Sequence, residues 1–231
     1  MSDQLHDVVI TVDAHVGETD DLRRRLPEAM RDKLPEFTID KDGNLDIKVK
    51  GESTFKSTQR IPNEEDLMRE FRSDPSQGTD IERRLKDMAI EGVDAQVIFP
   101  NIGLGISRGI GDADFYHAWA RAHNDYVYDT FSVDSKRFKP AAMLAIDDIE
   151  RTVAEAERCI KRGFCTLFVP VVVPWQPYRL AVYEPLWSLA EEAGISINFH
   201  IFSGNVALGG DFADVTSISQ KRFDTAKQMA K

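Results

Sequence analysis

Two histidines that end apolar runs are the places where this chain could do chemistry. Val8-Val9-Ile10-Thr11-Val12-Asp13-Ala14-His15 leads into Val16-Gly17-Glu18, and Ile195-Ser196-Ile197-Asn198-Phe199-His200 repeats the form far downstream. Each reads as a buried strand whose polar residues wait for its C-terminal end. Asp13 and His15 lie two residues apart, so on a strand their side chains point to the same side. With His200 from a distant strand they offer one carboxylate and two imidazoles, three donors of a divalent metal site. Mixed oxygen and nitrogen donors suit zinc, and the harder carboxylate also suits manganese. Such an ion lowers the pKa of a bound water toward neutrality, polarises a carbonyl or anchors a carboxylate. Asp-x-His also arises by chance, and a histidine at a strand end commonly has a structural duty, so the reading requires that the three residues meet in space.

Other residues take supporting parts around that centre. Glu18, just past the first strand, reads equally as a partner that orients His15 or as an exposed loop carboxylate. Asn101 directly follows a strand ending in Phe99-Pro100, and Trp175 and Arg179 lie in the proline-stiffened segment Val173-Pro174-Trp175-Gln176-Pro177-Tyr178-Arg179. All three could line a pocket for an aromatic or carboxylate-bearing small molecule. His117 and His123 fall on a predicted helix and read as packing residues, and His6 as solvated. Gly103, Gly105, Gly109 and Gly111 read as a loop over the site, because no phosphate-loop lysine accompanies them.

The elements that must position these residues alternate. Thr79 and Glu82 form a capping box for a helix carrying Ile81, Leu85 and Met88 on one face and closing at Gly92. A strand over 93–100 follows, then a helix over 112–131 with Phe115, Trp119, Ala122 and Tyr126 on one stripe. Next come a strand over 138–145, a helix capped by Asp147 and Glu150 that ends at Gly163, and a strand over 164–169. A helix over 180–193 ends at Gly194 and delivers the strand that finishes at His200; a last helix runs from about 217. Residues 27–75 break the pattern. Lys41-Asp42-Gly43-Asn44 signals a turn ahead of the alternating Leu45-Asp46-Ile47-Lys48-Val49-Lys50, which predicts an inserted hairpin plus loop.

Strand and helix thus alternate about five times, which implies a parallel sheet with helical crossovers. Two architectures do this, the open doubly wound sheet and the closed eight-fold barrel. The first turn lacks Gly-x-Gly-x-x-Gly, and polar residues gather at strand C-termini, where barrel enzymes keep their sites. The fold class is therefore α/β of the (β/α) TIM-barrel type, with a small hairpin insertion at 27–75. At roughly 30 residues per strand-helix unit, the pattern stops after about five units, before a barrel would close, so residues 1–231 read as the N-terminal part of such a domain.

Composition narrows the partners. The 231 residues carry a formal net charge of −10, which argues against nucleic acid and anionic membrane surfaces. The first residues show no basic segment leading into an apolar run, and no stretch approaches the roughly 18 apolar residues of a membrane span. Cys159 and Cys165 lack zinc-ligand spacing and read as reduced packing residues. The chain reads as cytoplasmic, acting on a small-molecule substrate.

Several passages carry a resemblance. Val12-Asp13-Ala14-His15-Val16-Gly17-Glu18, Arg84-Leu85-Lys86-Asp87-Met88 through Gly92-Val93-Asp94-Ala95-Gln96-Val97-Ile98-Phe99-Pro100, Ala122-His123-Asn124-Asp125-Tyr126, Arg137-Phe138-Lys139-Pro140 and Leu189-Ala190-Glu191-Glu192-Ala193-Gly194 run in order toward His200. Together they resemble the amidohydrolase superfamily, in the branch that includes aminocarboxymuconate-semialdehyde decarboxylase and γ-resorcylate decarboxylase. The resemblance implies a metal-dependent (β/α)-barrel enzyme. In that family the end of the first strand gives two ligands, commonly His-x-His and in some members an acidic residue in the first place, which Asp13 occupies here. His200 matches the ligand at the end of the fifth strand. The family also uses a histidine after the sixth strand and an aspartate after the eighth, and this chain holds neither strand, so no catalytic acid or base can be assigned within it. Three expectations stand together: a hydrolase using metal-activated water, a non-oxidative carboxy-lyase using the same site, and a truncated, catalytically inactive member. The resemblance also makes a homo-oligomer unsurprising, with the inserted hairpin as a contact.

Overall fold

The computed structural model describes residues 8–34, 36–39, 45–49, 52–56, 78–101, 112–173 and 176–204. Trp175, the Lys41–Asn44 turn, the glycines of 103–111 and the helix expected from 217 lie outside the described residues.

The order of elements follows the predicted alternation. Strand β1 (Ile10–Val16) is followed by the short helix α1 (Asp20–Arg25) and a 3-10 turn over Glu28–Lys33. Three strands then fall inside the predicted insertion: β2 (Glu36–Ile39), β3 (Leu45–Val49) and β4 (Glu52–Lys56). They form an antiparallel sheet in which Phe37 pairs with Ile47 and Ile47 with Phe55, so the expected hairpin gains a third strand. The main series resumes with α2 (Ile81–Glu91), β5 (Ala95–Pro100), α3 (Ala113–Phe131), β6 (Phe138–Pro140), β7 (Ala142–Met143), α4 (Ile149–Arg162), β8 (Thr166–Val172), α5 (Glu184–Ala193) and β9 (Ser196–Gly204). No described helix is long and apolar enough to cross a membrane.

All pairings in the main series are parallel, in two sheets ordered β1-β5-β6 and β7-β8-β9. The single strand expected over 138–145 breaks at Ala141, so β6 pairs back to β5 and β7 forward to β8. Asn124, buried on α3, spans the break. Its Oδ1 accepts from the Met143 N–H at 2.7 Å, and its Nδ2 donates to the Met143 carbonyl and to Glu155, both at 2.9 Å. Buried backbone groups freed by the break are thereby satisfied, and the two sheets act as one curved sheet of five strand positions.

The helix stripe read from sequence is the core. Phe115, Trp119, Ala122 and Tyr126 are all buried, joined by Val127 and Phe131 from the same helix and by Phe138, Met143 and Phe168 from the strands. Each large side chain so removed from water contributes about 2 kcal/mol. Gly92, Gly163 and Gly194 end their helices with φ of +70°, +99° and +64°, the left-handed termination glycine permits. Two helix starts differ from expectation by one residue. Asp80, not Thr79, accepts from the Arg83 N–H, and Asp148, not Asp147, from the Arg151 N–H. An aspartate next to each predicted cap reaches the orphan N–H with equal ease.

The described residues form part of a (β/α) barrel, and its inner face is open. Val8, Ile10 and Val12 of the first strand region are 69%, 53% and 67% exposed, and they line a cavity of about 580 Å³ with Ala95, Val97, Thr166 and Asn198. The strand read as buried is therefore uncovered on this side, since nothing among the described residues packs on it.

Candidate functional site

At the C-terminal end of that inner face, β1 and β9 bring Asp13, His15 and His200 together. Asp13 Oδ1 lies 2.9 Å from His200 Nε2 and 3.3 Å from His15 Nε2, and the two imidazoles stand nearly edge to face, 5.1 Å between centroids. One ligand atom from each residue falls within 4.8 Å of the others.

A backbone irregularity makes this convergence possible. Between Thr11 and Ala14 strand β1 advances three residues while β5 advances two, from Gln96 to Ile98. The extra residue is a β-bulge, which re-aims side chains and occurs often beside active sites. Ile10 and Val12 line the inner cavity below the bulge, and Asp13 and His15 face the same interior above it. Unbroken alternation would have sent one of these pairs to the outside.

The geometry fits a small divalent ion. His15 Nδ1 lies 3.0 Å from the Pro100 carbonyl oxygen. A carbonyl only accepts, so His15 Nδ1–H donates to it, and Nε2 is the ring nitrogen turned toward Asp13. Zinc bonds of roughly 2.0–2.2 Å at tetrahedral angles hold ligand atoms about 3.4 Å apart, close to the separations seen. Partial burial pushes the Asp13 carboxyl up, but the hydrogen bond and charge of His200, and then those of His15, outweigh it and hold it below its ordinary value. Asp13 is thus ionised whenever a cation arrives. Its side chain is 71% exposed against 10% for His200, so the site opens to solvent on the aspartate side.

Beneath the triad lies an aromatic floor that sequence reading missed. Phe99 packs 4.9 Å from the His200 ring, Phe168 meets it edge-on at 6.2 Å, and the two phenylalanines touch at 5.9 Å. The signal was the register: His15 pairs with Phe99, and His200 with Pro170, two residues beyond Phe168. Register is invisible until the strands are paired.

The remaining predicted residues are less tightly gathered. Glu18 is half-buried just past β1, and the partner that orients His15 is the Pro100 carbonyl. Asn101 follows β5 with an exposed side chain, its N–H bonded to the Val16 carbonyl at 3.1 Å. Arg179 is exposed between β8 and α5. Among the described residues neither of these two side chains bonds to the triad. Tyr178, beside Arg179, donates from its hydroxyl to the Pro170 carbonyl, and its ring lies 5.1 Å from Phe199. His117 and His123 are buried on α3 away from the triad, and Cys159 and Cys165 are free thiols.

Comparison with known proteins gives the family and the fold. A family model described as amidohydrolase matches residues 10–216. No curated protein matches the chain. An amidohydrolase structure from Mycobacterium avium subsp. paratuberculosis aligns with a TM-score of 0.72 at 19% identity, covering 97% of this chain and 68% of that one. The 2,6-dihydroxybenzoate decarboxylase of Rhizobium aligns at 0.61 and 18% identity, covering 97% and 61%. A 5-carboxyvanillate decarboxylase from Novosphingobium aromaticivorans, solved with bound manganese, aligns at 0.60 and 14% identity, covering 95% and 57%. The chain therefore spans between 57% and 68% of the length of these three structures.

Proposed function

The chain belongs to the amidohydrolase family, and we propose that Asp13, His15 and His200 hold a divalent metal that acts on a small aromatic or carboxylate-bearing substrate. The observation that carries this reading is the meeting of one carboxylate and two imidazole donors from strands 187 residues apart in sequence. The donor set suits zinc first and manganese second, and one solved neighbour holds manganese. When bound, the ion supplies Lewis acidity and lowers the pKa of a bound water, which suits hydrolysis at neutral pH. The chain's own residues do the rest. Pro100 orients the His15 ring, Asp13 supplies negative charge at the open side, and the Phe99 and Phe168 rings exclude water from below. Asn101, Arg179 and Trp175 are the proposed substrate contacts, Glu18 an outer partner.

Non-oxidative decarboxylation is the second reading, favoured by the likeness to two decarboxylases of aromatic acids. It uses the same ligands to hold the substrate and needs a proton donor for the carbon that loses carbon dioxide.

The test begins with metal content per folded chain after gel filtration, beside Asp13→Ala and His200→Ala. About one equivalent, lost in both variants, is expected; a folded wild-type chain that retains no metal and takes up none refutes the reading. Release of carbon dioxide from hydroxybenzoates, against turnover of esters, lactones and amides, then separates the two chemistries.

A further inference from the structure

His15 is held on its ring side by Pro100; its main chain is held by a residue the proposed reaction does not use. Arg84, in the first turn of α2, donates from Nη2 to the His15 carbonyl at 2.7 Å, from Nη1 to Gln96 Oε1 at 2.7 Å and from Nε to the Gly78 carbonyl at 2.9 Å. The guanidinium carbon lies 5.5 Å from the centre of the Phe131 ring. One rigid fork thus ties β1, β5 and the approach to α2 together, a task a lysine's single ammonium cannot repeat. The approach is shaped for it. Gly78 has φ +86°, and a Cβ there would stand 2.6 Å from Arg84 Nη2 and 3.6 Å from the His15 carbonyl. A second side chain, Tyr126, holds the next turn of chain by donating to the Gly17 carbonyl at 3.0 Å.

We propose that Arg84 is a positioning residue for the metal centre, acting through the His15 carbonyl to fix the bulged end of β1 so that the imidazole keeps its bond to Pro100 and its Nε2 aimed at Asp13. The bulge gives such a clamp a task. It interrupts the ladder between Thr11 and Ala14, with pairing to β5 resuming from Ala14 to Val16, and among the described residues β1 has a paired neighbour only on its β5 side. The inference rests on His15 being a ligand, yet its first readout needs no metal.

The experiment uses the full chain with ¹⁵N-labelled histidine, His15 being assigned from its loss in His15→Gln. Ring-nitrogen spectra report the tautomer without metal, and zinc titration reports affinity. Four variants are compared: Arg84→Met, Arg84→Lys, Gly78→Ala and, as a control, Arg137→Met. Arg137 also clamps backbone, bonding the Val93 and Asp94 carbonyls at 3.1 Å, but at the far end of β5. Arg84→Met and Gly78→Ala are expected to shift the His15 ring-nitrogen signals, as the Nδ1–H bond to Pro100 loosens, and to weaken zinc binding about 10- to 100-fold. Arg84→Lys should recover part of both. Arg137→Met should lower the urea midpoint and change neither. A folded Arg84→Met chain with the wild-type His15 signals and affinity overturns the inference; if that variant does not fold, unchanged signals in Gly78→Ala overturn it instead. Should the wild-type chain bind no zinc while Arg84→Met still shifts the His15 signals, the proposed function fails and the positioning role stands.

Discussion

Replacing His123 by leucine should make the protein more resistant to acid, by an amount the structure fixes. His123 is fully buried on α3, and among the described residues neither ring nitrogen has a hydrogen-bond partner. Burial alone pushes its pKa down to about 3. In the unfolded chain the imidazole titrates near 6.5. At pH 5 the unfolded state has therefore taken up a proton that the folded state still refuses. Each pH unit below the unfolded value costs about 1.4 kcal/mol, so His123 alone removes about 2 kcal/mol between pH 7.5 and pH 5. The sign is that of a depressed base: the stability is present above the unfolded pKa and is lost as pH falls toward the folded one. The figure holds for any folded pKa well below 5. His117, whose pKa burial and then the charge of Arg151 push down to about 4, adds a loss of the same sign, reduced by solvent screening. Urea denaturation of wild type and His123→Leu at the two pH values measures the effect, since carboxylate contributions cancel between the variants. The leucine variant should lose about 2 kcal/mol less on acidification and, freed of two unpaired ring nitrogens, gain about 1 kcal/mol at pH 7.5. A variant that loses as much as wild type refutes the argument, because it would mean that the imidazole protonates as readily inside the fold as outside.

Three further outcomes follow from named contacts. Asn124→Ala leaves the Met143 N–H and carbonyl without their side-chain partner at a buried strand break, while Glu155 Oε1 keeps Arg158, so a loss of about 3 kcal/mol is expected. A urea-measured change under 0.5 kcal/mol would mean that water repairs the break. Tyr126→Phe removes the hydroxyl that donates to the Gly17 carbonyl and also meets Thr19 and should cost about 1 kcal/mol by the same assay, while hydrogen exchange of the amides after β1 quickens. Zinc at a hundred times its dissociation constant should raise stability by about 2.7 kcal/mol, reversed by chelator and absent in His15→Ala; equal stabilisation of that variant would place the ion elsewhere.

How far the sequence foretold this depends on the range of the interaction. Helix ends were legible because Gly92, Gly163 and Gly194 answer a local steric demand, and the stripe of Phe115, Trp119, Ala122 and Tyr126 was legible because period 3.6 is written in neighbouring residues. Asp13 and His15 were legible as a pair for the same reason. The bulge was not, since it exists only as a mismatch between β1 and β5, two segments 85 residues apart. The break at Ala141 likewise depends on Asn124 of a different element, and the Phe99–Phe168 floor on three strands being in register. Caps missed by one residue belong to a third kind: Thr79-Asp80 and Asp147-Asp148 each offer two adjacent acceptors, and the entry angle of the chain chooses between them.

The choice between the two architectures left by alternation is decided by one contact. From β1 through β5, the broken β6–β7 position and β8 to β9 there are four strand spacings. In an open doubly wound sheet, at about 4.8 Å each, these would hold the outer strands about 19 Å apart. An aspartate and a histidine cannot reach across that gap, yet Asp13 Oδ1 and His200 Nε2 are 2.9 Å apart. The sheet must curve enough to set its first and fifth positions facing each other. That is the curvature of an eight-strand barrel, whose interior is only wide enough for opposing side chains to meet. The same curvature explains why five strand positions suffice for the meeting. Opposite strands face each other once half the circle is drawn, so the triad assembles from these positions, while among the described residues nothing covers Val8, Ile10 and Val12 below it.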